Sequence, residues 1–292
     1  MDKFEELFEK YNCELNDAQV KKEVAQLLAA KMKENDNKEV YKKCLSMIDL
    51  TSLNSTDTDD QIHAMVNKVN QFPASYPNIH NVGALCVYPA MVHVVKKHLT
   101  QNIGIASVSA GFPSSQTFIE VKIAETAMAV MEGATEIDVV ISIGKFLSGR
   151  YEEVWEELKE IKSACREAHL KVIIETGALE STTNIKKASV LAMSAGADFI
   201  KTSTGKIPVA ATPEATYVMC MAIRDWFKKT SDRVGYKPAG GIVTTEDAVK
   251  HYTIVKEVLG EEWLNNKHFR IGASRLANNL LTSIEGKEIK YF

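Results

Sequence analysis

Eight short runs rich in valine and isoleucine alternate with segments of helical length, and this alternation constrains the fold more than any other feature. The intervening segments, such as Gln116–Met131 and Glu153–Ala168, are long enough for crossover helices, so the chain is predicted to consist of βαβ units. The predicted strands are Cys44–Leu50, Gly83–Tyr88, Gly104–Val108, Glu136–Ile141, Lys171–Glu175, Asp198–Lys201, Val234–Lys237 and Phe269–Gly272.

These eight strands favour an α/β fold of the (β/α)₈ TIM-barrel type, with extra N-terminal helices. A doubly wound open sheet is the alternative, but no GxGxxG motif follows the first predicted strand. The predicted units are an N-terminal helical extension (1–38), the catalytic barrel (39–283) and a C-terminal tail (284–292). In the extension, a helix is predicted to begin at Asn16-Asp17. We expect the extension to be a lid over one end of the fold or an oligomer contact.

Composition restricts the classes of partner. The chain has 292 residues and a formal net charge of −3, so no basic surface predicts binding to nucleic acid or to anionic lipid. No secretory signal is visible at the N-terminus, and no apolar stretch approaches the length of a membrane span. These features predict a cytoplasmic protein without membrane contact, and they leave a homo-oligomer open.

Neither cysteines nor histidines indicate a metal centre. The five cysteines are widely spaced and contain no CxxC pair, and the seven histidines give no HExxH pattern. Reduced thiols in a reducing compartment are therefore predicted. We therefore expect no metal and no cofactor.

Four charged residues interrupt the apolar strands. Asp49 and Asp138 lie in the first and fourth predicted strands, and Lys201 and Lys237 end the sixth and seventh. A charge in such a strand costs several kcal/mol unless it is paired or reaches water. The C-terminal ends of barrel strands form the mouth where active sites are built, so the four charges are expected to converge there. The alternative is two buried salt bridges that only fix strand register.

Two neighbouring lysines indicate a nucleophilic amine. A free lysine has a pKa of about 10.4, and burial or a nearby cation lowers it. A lysine activated in this way attacks carbonyl groups, and Asp138 would serve as the general acid–base. Spacing alone does not distinguish Lys201 from Lys237 as the nucleophile.

Polar loops containing glycine follow the last three predicted strands. They are Thr202–Lys206, Pro238–Gly241 and Ala273–Arg275. Glycine lets backbone N–H groups approach an anion, and barrel enzymes often hold phosphate with the loops after strands seven and eight. Together the loops predict a phosphate site.

Several motifs resemble the deoxyribose-phosphate aldolase family. The resemblance extends over residues 44–277 and is most specific at the two lysine motifs. The motifs are Ile48–Thr51, Cys86–Pro89, Ala110–Pro113, Glu136–Val140, Glu175–Gly177, Phe199–Lys206 and Lys237–Gly241.

The resemblance implies a metal-independent class I aldolase that interconverts 2-deoxy-D-ribose 5-phosphate with D-glyceraldehyde 3-phosphate and acetaldehyde. It implies that Lys201 is the Schiff-base lysine, with Lys237 and Asp138 in the proton relay. It also implies that Asp49 and Thr204 line the sugar pocket. The phosphate would be held by Gly205, Lys206, Gly240, Gly241, Gly272 and Ser274.

The sequence departs from the family pattern at two positions. Val243 stands where many relatives carry an arginine, and Arg275 stands where Ser or Thr is usual. Our hypothesis is that Arg275 supplies the missing cation to the phosphate. Tyr291 matches a tail tyrosine that assists proton transfer in some relatives, but we expect a disordered end. Cys86 is expected to be a small buried hydrophobe.

Two other functions are compatible with these motifs. One is a different lysine aldolase or a transaldolase, which a donor larger than acetaldehyde would reveal. The other is a barrel that has lost catalysis and acts as a scaffold through residues 1–38. The joint presence of Asp138, Lys201 and Lys237 argues against a scaffold, because an idle site has no physical reason to retain buried charges.

Overall fold

Eight parallel strands form the centre of the computed structural model, which describes residues 3–292. The strands are β1 (Ile48–Thr51), β2 (Ala84–Val87), β3 (Gly104–Ser109), β4 (Glu136–Val140), β5 (His169–Ile173), β6 (Phe199–Lys201), β7 (Gly235–Lys237) and β8 (Ile271–Ala273). The helices are α1 (Lys3–Lys10), α2 (Asp17–Asn35), α3 (Lys38–Ser46), α4 (Asp59–Ser75), α5 (Val92–His98), α6 (Ile119–Met131), α7 (Ile143–Leu147), α8 (Tyr151–Cys165), α9 (Thr182–Ser194), α10 (Pro213–Thr230), α11 (Thr245–Leu259) and α12 (Leu276–Glu285).

The strands follow chain order around the sheet, with β8 beside β1. Between β7 and β8 the ladder is reduced to two isolated bridges, Tyr236 to Phe269 and Ala239 to Gly272. These bridges bring the two ends of the sheet together, so the eight strands form a nearly closed ring. The predicted (β/α)₈ barrel with additional N-terminal helices is therefore confirmed.

Alternation along the strands separates the hydrophobic core from a charged interior. In β4, Ile137 and Val139 belong to the main hydrophobic core, which lies between the sheet and its helices. Glu136 and Asp138 point to the opposite face and form ion pairs with side chains from other strands. Because successive side chains of a strand point to opposite faces, one apolar strand supplies both environments.

The first predicted strand began too early. Cys44 and Leu45 are buried in α3, whose N-terminus is capped by the Asn37 side chain accepting from the Val40 N–H at 3.2 Å. The strand starts only at Ile48. A short apolar run does not distinguish a buried helix end from a strand by periodicity, which explains the error.

The N-terminal helices α1 and α2 pack on the outer helices of the barrel. Asn16 caps α2 by accepting from the Gln19 N–H at 3.0 Å, which confirms the predicted helix start. Tyr11 stacks on Trp226 of α10, with 5.3 Å between ring centroids. Further contacts join α2 to α9, α10 and α11. The extension thus covers apolar surface on one side of the barrel.

The C-terminal tail is packed, contrary to the disorder predicted for it. Tyr291 packs against Phe72 of α4 and against Tyr76, which follows that helix, and its hydroxyl donates to the Lys68 carbonyl at 2.8 Å. The Asn278 side chain accepts from the backbone N–H of Tyr291 at 2.8 Å. The sequence of the tail alone does not show that aromatic side chains at the end of α4 will pack against it.

Candidate active site

Seven ionisable side chains meet inside the barrel, where TIM barrels usually hold branched apolar residues. We call them the ion cluster. Each is less than a tenth exposed, and buried charges are tolerated only when they are paired and hydrogen-bonded. The members are Asp49, Glu136, Asp138, Lys171, Lys201, Lys237 and Arg270.

Asp138 is the centre of the ion cluster. One carboxylate oxygen accepts from Lys201 at 2.8 Å and from Lys237 at 2.7 Å, and the other accepts from Lys171 at 2.9 Å. Burial alone would raise the pKa of Asp138, but the three ammonium groups outweigh it and hold that pKa well below its usual range. Asp138 is therefore an ionised carboxylate that orients three lysines.

A second layer of charges lies beneath Asp138. Asp49 pairs with Lys237 and accepts from Arg270 at 2.6 Å. Glu136 pairs with Lys171 at 2.6 Å and with Arg270 at 2.8 Å. Six side chains thus form a closed ring of alternating sign, which we call the charge ring. Its order is Asp138, Lys237, Asp49, Arg270, Glu136 and Lys171.

Lys201 is the only member of the ion cluster outside the charge ring. The ring contains three carboxylates and three cations, so it is neutral without Lys201. Burial and the positive charge of Lys237 lower the pKa of Lys201, and Asp138 opposes them only partly. The carboxylates of the ring instead raise the pKa values of Lys171 and Lys237 despite burial. Lys201 is therefore the lysine that releases its proton most readily.

A cavity of about 340 Å³ opens above Lys201. The loops after β1, β6, β7 and β8 line it, as expected for the C-terminal face of a barrel. The contributing segments are 51–54, 204–206, 239–243 and 272–275. The Lys201 amine thus lies at the wall of a cleft lined by polar and glycine-containing loops.

The predicted phosphate residues come together in this cavity. Its lining includes Thr204, Gly205, Lys206, Gly240, Gly241, Gly272, Ser274 and Arg275, and also Val243. At Gly240, whose φ is +84°, a Cβ would lie 2.6 Å from the Ala210 Cβ and 2.9 Å from the Gly205 Cα. Only glycine lets the loops after β6 and β7 approach this closely.

Asp49 does not line the cavity. It has no exposed surface, because it lies beneath Lys237 and is held there by Arg270. In place of the sugar contact that the family resemblance implied, Asp49 has a position in the charge ring. The Lys237 and Arg270 charges also lower the pKa of its carboxyl despite burial.

Sequence reasoning missed three members of the ion cluster. Glu136, Lys171 and Arg270 all lie within predicted strands, whereas the predicted site consists of charges assigned to strand ends. A usable signal existed at Glu136, because strand alternation places it on the same face as Asp138.

The loop after β5 supports the loop after β6. Glu175 adopts a left-handed conformation with φ 55°, and its buried carboxylate accepts from the Thr204 N–H at 3.1 Å. Thr176 lies 3.3 Å from the Ser203 hydroxyl and donates to the Ala210 carbonyl at 3.2 Å. A strained residue with a buried carboxylate thus fixes the backbone that faces the cavity.

Cys86 is fully buried near the amine of Lys201, in a small apolar cluster with Leu53 and Val108. Burial raises the pKa of its thiol, in keeping with the small hydrophobe that we expected. Within residues 3–292, no three His, Cys, Asp or Glu side chains group as a metal site would require. Over the same residues, no helix combines the length and apolar character needed to cross a bilayer.

Comparisons with known proteins agree with this architecture. Residues 43–257 match the family model described as DeoC/LacD family aldolase. Deoxyribose-phosphate aldolase from Homo sapiens is 46% identical over 254 residues, covering 82% of this chain and 78% of the human protein. The Bos taurus protein of the same name is 45% identical over 250 residues, covering 80% and 77%.

A solved structure shows the same fold. Deoxyribose phosphate aldolase from Aeropyrum pernix, described as tetrameric, superposes with a TM-score of 0.65 at 23% sequence identity. The match covers 89% of this chain and 95% of the archaeal chain. This match shows the TIM-barrel fold, while the family model and the curated relatives show a carbon–carbon lyase of the aldolase type.

Proposed function

The chain belongs to the DeoC/LacD family of aldolases, and we propose that it interconverts 2-deoxy-D-ribose 5-phosphate with D-glyceraldehyde 3-phosphate and acetaldehyde. The reaction would proceed through a Schiff base on Lys201 without a metal. The observation that carries this proposal is the position of Lys201, the cation of the ion cluster that lies outside the neutral charge ring. It is a lysine with a lowered pKa, placed at the wall of a cavity lined by glycine loops.

In the cleavage direction, the uncharged amine of Lys201 attacks the C1 carbonyl and loses water to give an iminium ion. A base removes the proton of the C3 hydroxyl, and the C2–C3 bond breaks. Its electron pair moves to the iminium, which leaves an enamine and releases glyceraldehyde 3-phosphate. Protonation at C2 and hydrolysis then release acetaldehyde and restore the amine.

Lys237 and Asp138 are suited to move the protons of this sequence. One carboxylate oxygen of Asp138 accepts from the Lys201 amine at 2.8 Å and from the Lys237 amine at 2.7 Å. This oxygen therefore links the two lysines. A general acid–base must be within hydrogen-bond reach of the proton that it transfers. Asp138 meets this requirement for the carbinolamine formed on Lys201, and Lys237 is proposed to orient the shared carboxylate oxygen by donating to it.

Arg275 is proposed to supply the cation that Val243 does not. Both residues line the cavity, and the Arg275 side chain is exposed. We expect Arg275→Ala to raise the Michaelis constant for 2-deoxyribose 5-phosphate by about ten- to a hundredfold, since a charge-assisted hydrogen bond contributes roughly 1.5–3 kcal/mol. Cleavage of unphosphorylated 2-deoxyribose serves as the control and should not change. An unchanged Michaelis constant for the phosphorylated substrate would exclude this role.

Metal independence is tested by chelation. After dialysis against EDTA, we expect the cleavage rate to stay within experimental error of the untreated enzyme, because an amine and a carboxylate carry out every proposed step. Activity that disappears on chelation and returns with a divalent cation would instead require a metal-dependent aldolase mechanism.

The donor identifies the reaction among lysine-dependent aldolases. Production of acetaldehyde and glyceraldehyde 3-phosphate from 2-deoxyribose 5-phosphate supports the proposal. A preference for a larger donor would indicate another aldolase or a transaldolase on the same barrel. A cytoplasmic location and a homo-oligomer stay predictions.

A further inference from the structure

We propose that Arg270 and Glu136, which lie in the lower layer of the ion cluster, are positioning residues that set the pH at which Lys201 becomes a nucleophile. This inference rests on the proposed function in taking Lys201 as the reacting amine. Neither residue lines the cavity above Lys201, so any effect must pass through the charge ring.

Arg270 holds the two lower carboxylates at fixed positions. One guanidinium nitrogen donates to Asp49 at 2.6 Å, and the other donates to Glu136 at 2.8 Å. Its third nitrogen, Nε, donates to the Asn266 carbonyl. The side chain therefore has donors directed at three acceptors, and a planar guanidinium is suited to that arrangement.

Two glycines border this layer, and one of them, Gly104, leaves space that Glu136 occupies. A Cβ at Gly104 would lie 2.4 Å from a carboxylate oxygen of Glu136. A Cβ at Gly83 would lie 3.3 Å from the Arg270 side chain. A real Cβ at Gly104 would displace Glu136, so the backbone at the start of β3 is matched to the lower layer.

The charge ring transmits the effect of this layer to Lys201. With Arg270 replaced by a neutral residue, the ring carries a net negative charge, which favours the protonated form of Lys201. With Glu136 neutralised, the ring carries a net positive charge, which favours the free amine. The two replacements should therefore move the titration of Lys201 in opposite directions.

The other charges near Lys201 stay constant in both variants. Asp138 on β4 and Lys237 on β7 act on the amine directly, and the Cys86 thiol lies close to it on β2. Lys206 and Arg275 line the cavity above it. None of these is altered, so opposite shifts would be due to the lower layer.

The test measures the amine itself, without relying on the proposed substrate. Lys201 is methylated reductively with formaldehyde and cyanoborohydride at a series of pH values, and its rate is determined by peptide mass mapping relative to the exposed Lys159. The acid limb of kcat/KM for 2-deoxyribose 5-phosphate is recorded in parallel.

We expect Arg270→Met to move both midpoints to higher pH by about one pH unit and Glu136→Gln to move them lower by about the same amount. Arg270→Lys retains the positive charge, so both midpoints should stay close to their wild-type values. The double variant, Arg270→Met with Glu136→Gln, keeps the charge ring neutral and should titrate near the wild-type midpoint. If the two residues were only structural, removing both ion-pair partners would not return the midpoints to the wild-type value.

Lys122→Met is the matched control. Lys122 is equally buried and pairs with Glu157 at 3.0 Å, but it lies on α6 outside the ion cluster. Its removal should lower stability without moving either midpoint. Shifts of the same sign for Arg270→Met and Glu136→Gln, or no shift for both, would overturn the inference. If Arg270→Met does not fold, Glu136→Gln still tests the sign, and Arg270→Lys should leave both midpoints near their wild-type values.

The two readouts separate this inference from the proposed function. Opposite shifts in methylation without cleavage of 2-deoxyribose 5-phosphate would retain the positioning role and reject the substrate. Cleavage with unmoved midpoints would retain the substrate and reject the positioning role.

Discussion

We expect cleavage of 2-deoxyribose 5-phosphate to fall by at least about four orders of magnitude when Lys201 is replaced by alanine, because the proposed covalent step would lose its nucleophile. Lys237 cannot substitute for Lys201, since Asp138 and Asp49 keep it protonated despite burial. Incubation with substrate and borohydride should inactivate the wild-type enzyme irreversibly. Peptide mapping should then locate the adduct on Lys201.

Lys237→Met is the informative companion to this variant. Removal of a ring cation leaves Asp138 to pair more strongly with Lys201, so trapping should be weak near neutral pH and recover as the pH rises. Lys201→Ala should show no adduct at any pH. An adduct on Lys237 would retain the aldolase and reverse the roles of the two lysines. No adduct, with a phosphorylated ligand still bound, would indicate a site that recognises sugars without this chemistry.

Asp138→Asn is expected to damage stability and activity together. The substitution leaves three buried ammonium groups around a neutral amide, and breaking a buried ion pair in this way costs roughly 3–5 kcal/mol. Cleavage should fall by about three orders of magnitude or more, because general acid–base catalysis and orientation of the amine are both lost. Chemical denaturation and steady-state kinetics measure the two effects.

The pH dependence of this stability loss has a definite sign. In the wild type, burial lowers the pKa values of Lys171 and Lys237, but their carboxylate partners outweigh it and raise them. The stabilisation from these ion pairs is therefore present below the unfolded lysine pKa of about 10.4 and is lost at higher pH. In the variant, Lys171 and Lys237 keep Glu136 and Asp49 as partners, but Lys201 loses its carboxylate and its pKa falls further below the ordinary lysine value. The stability of the variant should therefore rise as the pH approaches that value. The difference in free energy of unfolding between the wild type and Asp138→Asn should therefore become smaller at alkaline pH.

Glu157→Gln provides the control for Asp138→Asn. Glu157 accepts from the buried Lys122 at 3.0 Å and from Lys145 at 2.6 Å, outside the barrel interior. Its loss also leaves a buried lysine unpaired, so stability should fall while the acid limb of kcat/KM stays in place. An equal loss of activity in both variants would mean that Asp138 acts through folding alone.

Strand and helix alternation was sufficient to predict the barrel, because eight βα units leave few other arrangements. Charges at strand ends likewise predicted that Asp138, Lys201 and Lys237 meet. The lower layer was not predictable in the same way. Arg270 and Glu136 are 134 residues apart, and only closure of the ring brings them into contact.

The distinction between the two lysines also required three dimensions. Lys201 and Lys237 are adjacent partners in the β6–β7 ladder and share an oxygen of Asp138. They differ because Lys237 has a second carboxylate, Asp49, whereas Lys201 faces the cavity. Sequence spacing carries no information on which lysine obtains the second partner. The packed position of Tyr291 depends in the same way on an aromatic surface of α4.

The weak ladder between β7 and β8 gives the charge ring a further consequence. Lys237 adjoins the bridge residue Tyr236 on one side of this seam, and Arg270 adjoins its partner Phe269 on the other. Asp49, on β1, pairs with both cations and so joins the two sides. The ion pairs of Asp49 thus bridge the junction of the barrel where the backbone ladder is reduced to two bridges.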